Sequence, residues 1–463
     1  MSASQPWSRA VRSPRILLIV MAALWAVACS DDPSPQVMST ADVAEGDVDA
    51  ADVAPDTEGR DVAPDVEPDA EPDVQPDAPV VCDEPTGGAF WATSVPLSFP
   101  LDGQPIMVGQ WEDDVLTGGE RRDIHFLIDT GATVSCFDLD LTGGDTTPFT
   151  AEFLGLGTTG VCDGIVKGCD LAEAEAYIGI DLEVLLGEST LRRLNTFIDY
   201  REHRAWFYRQ SPDSAPPGME GVTPLVMPYV RQNELPVAEV GLGHGITLPL
   251  LTDTGSGVSI ITQAYFDEVE AAEGRALPRL DGYKWATSYG TDDAFVTRLP
   301  EVQLGEAVVR GEWVVVIPDD FHIKALLAQT GIVIEGFVGF PHYRHFLTEF
   351  RGPAGEFRFW PYPTADPVAD TTWHRVGLDV TGRAEGPRVE MIFSPSDVAG
   401  KDVALGDTVL SIDGQDVTGA DADTVRGLLH GVPGETRTLV LRRGGAGGEV
   451  ISVETQVDDL LPL

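Results

Sequence analysis

The sequence predicts a mainly β protein built as two related β lobes followed by a small α+β domain. Three observations predict it. From about residue 90 onward, short apolar or alternating runs are broken by Gly, Pro, Asn and Asp, and long helical periodicity is scarce. Within residues 90–362 one order of segments occurs twice. From residue 372 the pattern changes to short strands around a single helical segment. A chain of 463 residues accommodates several such units.

Residues 1–28 read as an export signal. Arg9, Arg12 and Arg15 precede ILLIVMAALWAV (16–27), an apolar segment too short for a comfortable membrane span. Small residues then lead to Cys29 in AVACSDD. The arrangement resembles the bacterial lipoprotein signal, although Ala26 stands where that family usually has Leu. The resemblance implies lipidation of Cys29 and attachment to a membrane through an N-terminal lipid. With Ser30 rather than Asp after the cysteine, it implies an outer-membrane lipoprotein of the bacterial envelope, facing periplasm or exterior.

Residues 29–88 hold that cysteine and an acidic Asp/Pro-rich segment with a loose DVxPD repeat. The repeat region has no large apolar residue, so it cannot bury enough surface to offset chain entropy. It is expected to be a disordered spacer, stiffened by proline and extended by like charge. Over the whole chain, 75 acidic residues against 30 basic give a net charge of -45. Phosphate binding needs clustered Lys and Arg, so nucleic acid is excluded as a partner.

The two repeated blocks are residues 89–215 and 216–363. Each has a strand pair, then an Asp-Thr-Gly set between apolar runs: FLIDTGATVSCF (126–137) and LLTDTGSGVSII (250–261). Each later has two apolar residues and a glycine, Leu185-Leu186-Gly187 and Phe337-Val338-Gly339, followed by a short helix-like stretch and a strand rich in aromatic and charged residues. An Asp in an apolar run needs a partner or a proton, because an unpaired buried charge is costly. Two copies allow each aspartate to be the other's partner.

Each block resembles one lobe of a retropepsin-like aspartic protease, and the pair resembles a compact pepsin-type bilobal enzyme over residues 90–362. The resemblance implies that Asp129 and Asp253 hold a water between them, one carboxylate acting as base and the other as acid. Like charges this close cannot both ionise readily, so the titration belongs to the pair. It also implies that Thr130 and Thr254 bond across the lobes, and that Gly131 and Gly255 let the loops approach. The strands at Leu186-Gly187 and Val338-Gly339 would pass close to those loops. After the motif, Ser256 offers a hydroxyl to Asp253 where Ala132 offers none to Asp129. Asp253 is therefore expected to ionise more readily and Asp129 to hold the shared proton.

Two segments are candidates for a flap that excludes water: WATSYGTDDAFVTRL (285–299), with Tyr289 and Gly290, and the glycine-rich FLGLGTTGVCDGIVKG (153–168). The latter contains GLGTTG, but no helix in a βαβ context follows, so a dinucleotide is not expected. No cofactor and no metal are expected: there is no H-E-x-x-H or G-x-S-x-G, and His342 and His345 read as packing or surface residues. Besides Cys29 the chain has Cys82, Cys136, Cys162 and Cys169, which an exported protein can oxidise. Cys162 and Cys169 are close in sequence and make the first candidate pair, leaving Cys82 with Cys136; three connectivities are open.

After a linker at 364–371, residues 372–463 resemble a PDZ domain of the bacterial protease-associated kind. LGDTVLSIDGQDV carries the resemblance, with its Asp-Gly hairpin turn, and ADADTVRGLLHG has helical spacing. Such domains bind extended peptides by strand addition. GRAEGPRVEMIF (382–393) is the candidate carboxylate-binding loop, without the family's GLGF. Together these features imply an exported, membrane-anchored aspartic endopeptidase with peptide or protein substrates and a peptide ligand for its C-terminal domain. The alternative is a non-catalytic peptide-binding lipoprotein that retains the fold.

Overall fold

In the computed structural model the described residues are Trp91, 94–99, 103–112 and 121–462, apart from 157–158, 173–174, 176–180, 213, 288–289, 322–323, 364–370 and 383–385. The signal segment, Cys29, Cys82, the acidic spacer and Tyr289 lie outside them.

Lobe one contains β1 (Val95–Ser98), β2 (Ile106–Glu112), β3 (Arg122–Ile128), β4 (Ser135–Asp138), β5 (Phe149–Leu156), β6 (Thr159–Cys169), β7 (Val184–Leu186), β8 (Asn195–Asp199) and β9 (Arg204–Tyr208). Lobe two contains β10 (Leu225–Pro228), β11 (Val230–Gln232), β12 (Leu235–Gly241), β13 (Thr247–Thr252), β14 (Ile260–Thr262), β15 (Arg279–Thr287), β16 (Gly290–Arg298), β17 (Glu301–Leu304), β18 (Ala307–Arg310), β19 (Trp313–Ile317), β20 (Gly336–Val338), β21 (Phe346–Arg351) and β22 (Glu356–Pro361). The all-buried β19, WVVVI, shows why these runs become strands: β-branched and aromatic side chains fit a pleated surface covered on both faces.

In each lobe a late strand enters between the two strands that flank the Asp-Thr-Gly loop. β7 runs parallel to β3, with Ile128 opposite Leu186, and antiparallel to β4. β20 does the same between β13 and β14, with Thr252 opposite Val338. The closing hairpins β8–β9 and β21–β22 then join through β8 and β21 into one sheet shared by the lobes. That sheet fixes how the two loops face each other.

The lobes differ between their loop and their late strand. In lobe one β5 pairs with β2, placing Gly155 opposite Gln110, and β6 pairs with β4. In lobe two β17 pairs with β12, placing Gln303 opposite Gly241, and β19 pairs with β14. The glycine-rich hairpin 153–168 is thus the counterpart of β17 to β19, a wall of the lobe rather than a flap. Lobe two inserts the helix Gln263–Glu273 and the hairpin β15–β16 where lobe one has the short turn region 139–148. Among the described residues lobe one has no counterpart of that hairpin. Gly290 opens its second strand.

The disulfide corrects the cysteine expectation. Cys136 bonds Cys169, with Cα atoms 5.5 Å apart, because β4 and β6 are neighbouring parallel strands. Cys162 and Cys169 lie on the same extended strand, roughly 20 Å apart at its rise per residue, beyond any disulfide. Cys162 is disulfide-bonded too, but not to Cys169.

The C-terminal domain contains β23 (His374–Arg375), β24 (Leu378–Thr381), β25 (Arg388–Ile392), β26 (Thr408–Ile412), β27 (Gln415–Asp416), β28 (Thr436–Arg442), β29 (Val450–Gln456) and β30 (Asp458–Asp459), with the helix Ala422–Leu429. Asp421 caps that helix by accepting the Thr424 N–H at 2.6 Å. The sheet runs β24-β25-β26-β28-β29, so β24 is an edge strand. Of the candidate carboxylate loop 382–393, residues Arg388–Ile392 form β25, where Val389 and Met391 are buried, and residues 383–385 lie outside the described residues.

This domain has its own apolar core but also shares one with lobe two. Trp373, Met391, Phe393, Leu460 and Leu461 pack with Leu280, Tyr283 and Trp313. Asp281, on β15, exchanges both backbone hydrogen bonds with Ser394, at 2.7 and 2.9 Å. Gly282 has φ +96°, and a Cβ there would lie 2.2 Å from the Ile392 carbonyl oxygen, so only glycine permits this approach.

Candidate active site

Asp129 directly follows β3 and Asp253 directly follows β13. Their amides donate to the late strands: Asp129 N–H to Leu186 O at 3.1 Å and Asp253 N–H to Val338 O at 2.9 Å. The chain leaving each late strand closes the loop from the other side. Glu188 N–H donates to Ala132 O at 2.7 Å, and Phe340 N–H to Ser256 O at 2.9 Å. A Cβ on Gly187 would lie 2.7 Å from Val134 O, and one on Gly339 2.4 Å from Val258 O. These glycines are therefore steric requirements of the strand passing the loop.

The two threonines interlock. Thr130 N–H donates to Thr254 Oγ1 and Thr254 N–H to Thr130 Oγ1, both at 3.1 Å. Thr130 Oγ1 donates to Thr252 O at 2.7 Å, and Thr254 Oγ1 to Ile128 O at 2.9 Å. All four bonds are buried, where hydrogen bonds are electrostatically stronger than in water. They bring each carboxyl against the opposite glycine: a Cβ on Gly131 would meet Asp253 Cγ at 2.5 Å, and one on Gly255 would meet Asp129 Cγ at 2.5 Å.

Both aspartates are buried, 3% and 2% exposed, and their carboxyls hydrogen-bond each other. Burial pushes Asp129 up to about 6, held down in part by bonds from Asp253 and the Gly131 amide, the latter at 2.7 Å. Burial, reinforced by the charge of Asp129, pushes Asp253 well above the usual carboxylate range. Bonds from the Gly255 and Ser256 amides offset part of that rise. Burial raises both carboxyls and each feels the other, so the two titrate as one pair that keeps a shared proton above the usual carboxylate range.

Ser256 does not make the bond to Asp253 expected of it. Its hydroxyl donates to Val258 O at 2.8 Å and accepts from the Val258 amide, closing the turn instead of reaching Asp253. Ser256→Ala should therefore loosen the turn by about 1 kcal/mol, as one net hydrogen bond is worth, and leave the acid limb of a pH–rate profile in place. A movement of that limb on substitution would show the hydroxyl acting on the carboxyl after all.

Glu188 was not legible as a site residue. It follows Gly187, is fully buried, and neither carboxyl oxygen accepts a hydrogen bond among the described residues. Arg231 Nη2, from lobe two, stands 3.9 Å away. Burial pushes Glu188 up to about 8, against the pull of Arg231 and Arg192. A carboxyl that binds its proton more tightly when folded adds stability below its ordinary value near 4.5, and loses it as pH rises towards 8. Melting temperature should fall from pH 5 to pH 8, and Glu188→Gln should flatten that fall in a thermal-melt series. The only sequence signal was a charge placed directly after an apolar–apolar–Gly run.

No protein-family model matches the chain, and no curated protein matches it. Solved structures similar to it include an aspartic proteinase from Irpex lacteus, at 9% identity over 60% of this chain and 99% of that chain, with a TM-score of 0.38. Basic 7S globulin from soybean is similar at 10% identity over 58% of this chain and 94% of that chain, with a TM-score of 0.34. The PDZ domain of a carboxy-terminal protease from Vibrio cholerae, solved in complex with peptide, is similar at 20% identity over 18% of this chain and 92% of that chain, with a TM-score of 0.17.

Proposed function

We propose that the chain is an aspartic endopeptidase that hydrolyses peptide bonds with the Asp129–Asp253 pair. One observation carries the reading: two buried carboxyls lie against each other at the ends of two Asp-Thr-Gly loops locked by reciprocal threonine bonds. A pair sharing one proton can perform both halves of the reaction. Asp129 takes a proton from water as its oxygen attacks the carbonyl carbon, while Asp253 gives its proton to the carbonyl oxygen. The tetrahedral intermediate collapses as the proton on Asp129 passes to the leaving nitrogen and Asp253 recovers one from a hydroxyl of the intermediate.

The proposal extends to the setting of the enzyme. Residues 1–28 direct export, Cys29 carries a lipid anchor, and the acidic segment holds the folded part away from the bacterial envelope membrane. The Cys136–Cys169 bond supports an oxidising compartment. The edge strand β24 supports a peptide-binding role for the C-terminal domain by strand addition.

The test is cleavage of a mixed peptide library by the mature chain between pH 4 and 9, beside Asp129→Asn and Asp253→Asn. Cleavage by wild type alone supports the enzyme. Retained peptide binding with no cleavage by any form would replace it with the non-catalytic peptide-binding lipoprotein.

A further inference from the structure

The two lobes hold their late-strand glycines by different chemistry, and the difference is expensive. In lobe one the Gly187 N–H donates to Ser135 Oγ at 3.1 Å, and Ser135 Oγ meets Thr190 Oγ1 directly at 2.8 Å. In lobe two the corresponding Gly339 N–H donates to Ser259 Oγ at 3.2 Å. The residue matching Thr190, three after the glycine, is His342, and Ser259 does not reach it. Glu312 stands between them: Ser259 Oγ donates to Glu312 Oε1 at 3.0 Å, and Glu312 Oε2 meets His342 Nδ1 at 2.7 Å.

The strand registers place Gly164 of lobe one where lobe two has Glu312. The geometry agrees, since a Cβ on Gly164 would lie 4.0 Å from Thr190 Oγ1, the counterpart of His342. The fold therefore tolerates a neutral serine–threonine contact at this place and uses one in lobe one. In lobe two it buries a carboxyl and an imidazole completely, both side chains 0% exposed. Taking such groups out of water is costly unless the geometry returns it.

The chain of contacts shows what the pair holds. Glu312 and His342 fix Ser259, Ser259 fixes the Gly339 amide, and the preceding Val338 carbonyl accepts the Asp253 N–H. On its other side, Glu312 O accepts the Leu299 N–H at 2.9 Å, while Arg298 donates to Gly311 O at 2.8 Å and to Leu461 O of the C-terminal domain at 2.7 Å. Lobe one reaches Asp129 by matching steps, from Ser135 to the Gly187 amide and from the Leu186 carbonyl to the Asp129 N–H, with Thr190 in place of the buried charged pair.

We infer that Glu312 and His342 are positioning residues for Asp253, setting its loop from beneath through Ser259 and Gly339. The inference rests on the proposed peptidase reading for its kinetic consequences, but its structural core does not. Glu312→Leu removes both bonds, Glu312→Gln keeps their geometry, and Ser259→Ala leaves the buried pair in place while cutting it from Gly339.

Two readouts are needed. In steady-state peptide cleavage, Glu312→Leu and Ser259→Ala should each lower kcat by about tenfold or more with KM nearly unchanged, as a small misplacement of a reacting group does. Glu312→Gln should recover most of that loss. In amide hydrogen exchange, both disruptive variants should speed exchange at Asp253 and leave Asp129 unchanged. Equal acceleration at both amides, or unchanged kcat in Ser259→Ala, would reduce the pair to ordinary core packing and overturn the inference. If wild type cleaves nothing, the peptidase reading fails and the exchange experiment alone decides the positioning role. If Glu312→Leu does not fold, Ser259→Ala carries both measurements.

Discussion

Asp253→Asn should lower kcat by about 10⁴-fold or more, and wild-type kcat/KM should be bell-shaped with its acid limb near pH 6. The sign follows from the proposed roles, Asp129 as base and Asp253 as acid. Below about pH 6 Asp129 gains a proton and can no longer take one from water. As pH rises through the higher value of Asp253, that carboxyl loses the proton it must give, and the rate falls again. The optimum therefore lies on the alkaline side of Asp129's titration. The same fall in Asp129→Asn, with wild-type folding shown by circular dichroism, would establish that both carboxyls are needed. An acid limb several pH units lower would mean that the pair is better hydrated than its 3% and 2% exposures indicate, and would reassign the base.

Trp373→Ala should destabilise the protein by about 3–5 kcal/mol, the usual cost of deleting a large buried aromatic side chain. Trp373 is 4% exposed and packs edge-on against Trp313 of lobe two at 5.4 Å and against Phe393 at 5.7 Å. It therefore joins two domains in one core rather than filling one of them. Calorimetry should show lobe two and the C-terminal domain melting together in wild type and separating in the variant. Amide exchange at Asp281 and Ser394, which bond each other across the junction, should accelerate. A variant that melts within a degree of wild type would show the junction to be superficial.

The fold class was readable because strands of period two were punctuated by turn residues, and because the same loop occurred twice. Duplication turned a weak three-residue motif into a statement about architecture. What remained hidden depended on register between strands distant in sequence. Cys136 meets Cys169 only because β4 and β6 run side by side, whereas closeness in sequence favoured Cys162. The segment 153–168 could be a flap or a loop until its pairing with β2 and β4 made it a wall. Ser256 has a hydroxyl in the right position of the motif, but its rotamer serves Val258. Glu312 and His342 are 30 residues apart, and nothing in either local pattern announces the other. Residue types gave the chemistry available; side-chain direction decided its use.

The hairpin β15–β16 has a consequence for stoichiometry. It is the element on which the C-terminal domain seats, through Asp281 and Gly282, and lobe one has only a short turn in its place. A symmetric pair of identical lobes would offer two such seats or none. Two unequal lobes in one chain offer one, so each pair of aspartates is matched to a single C-terminal domain, on a single side.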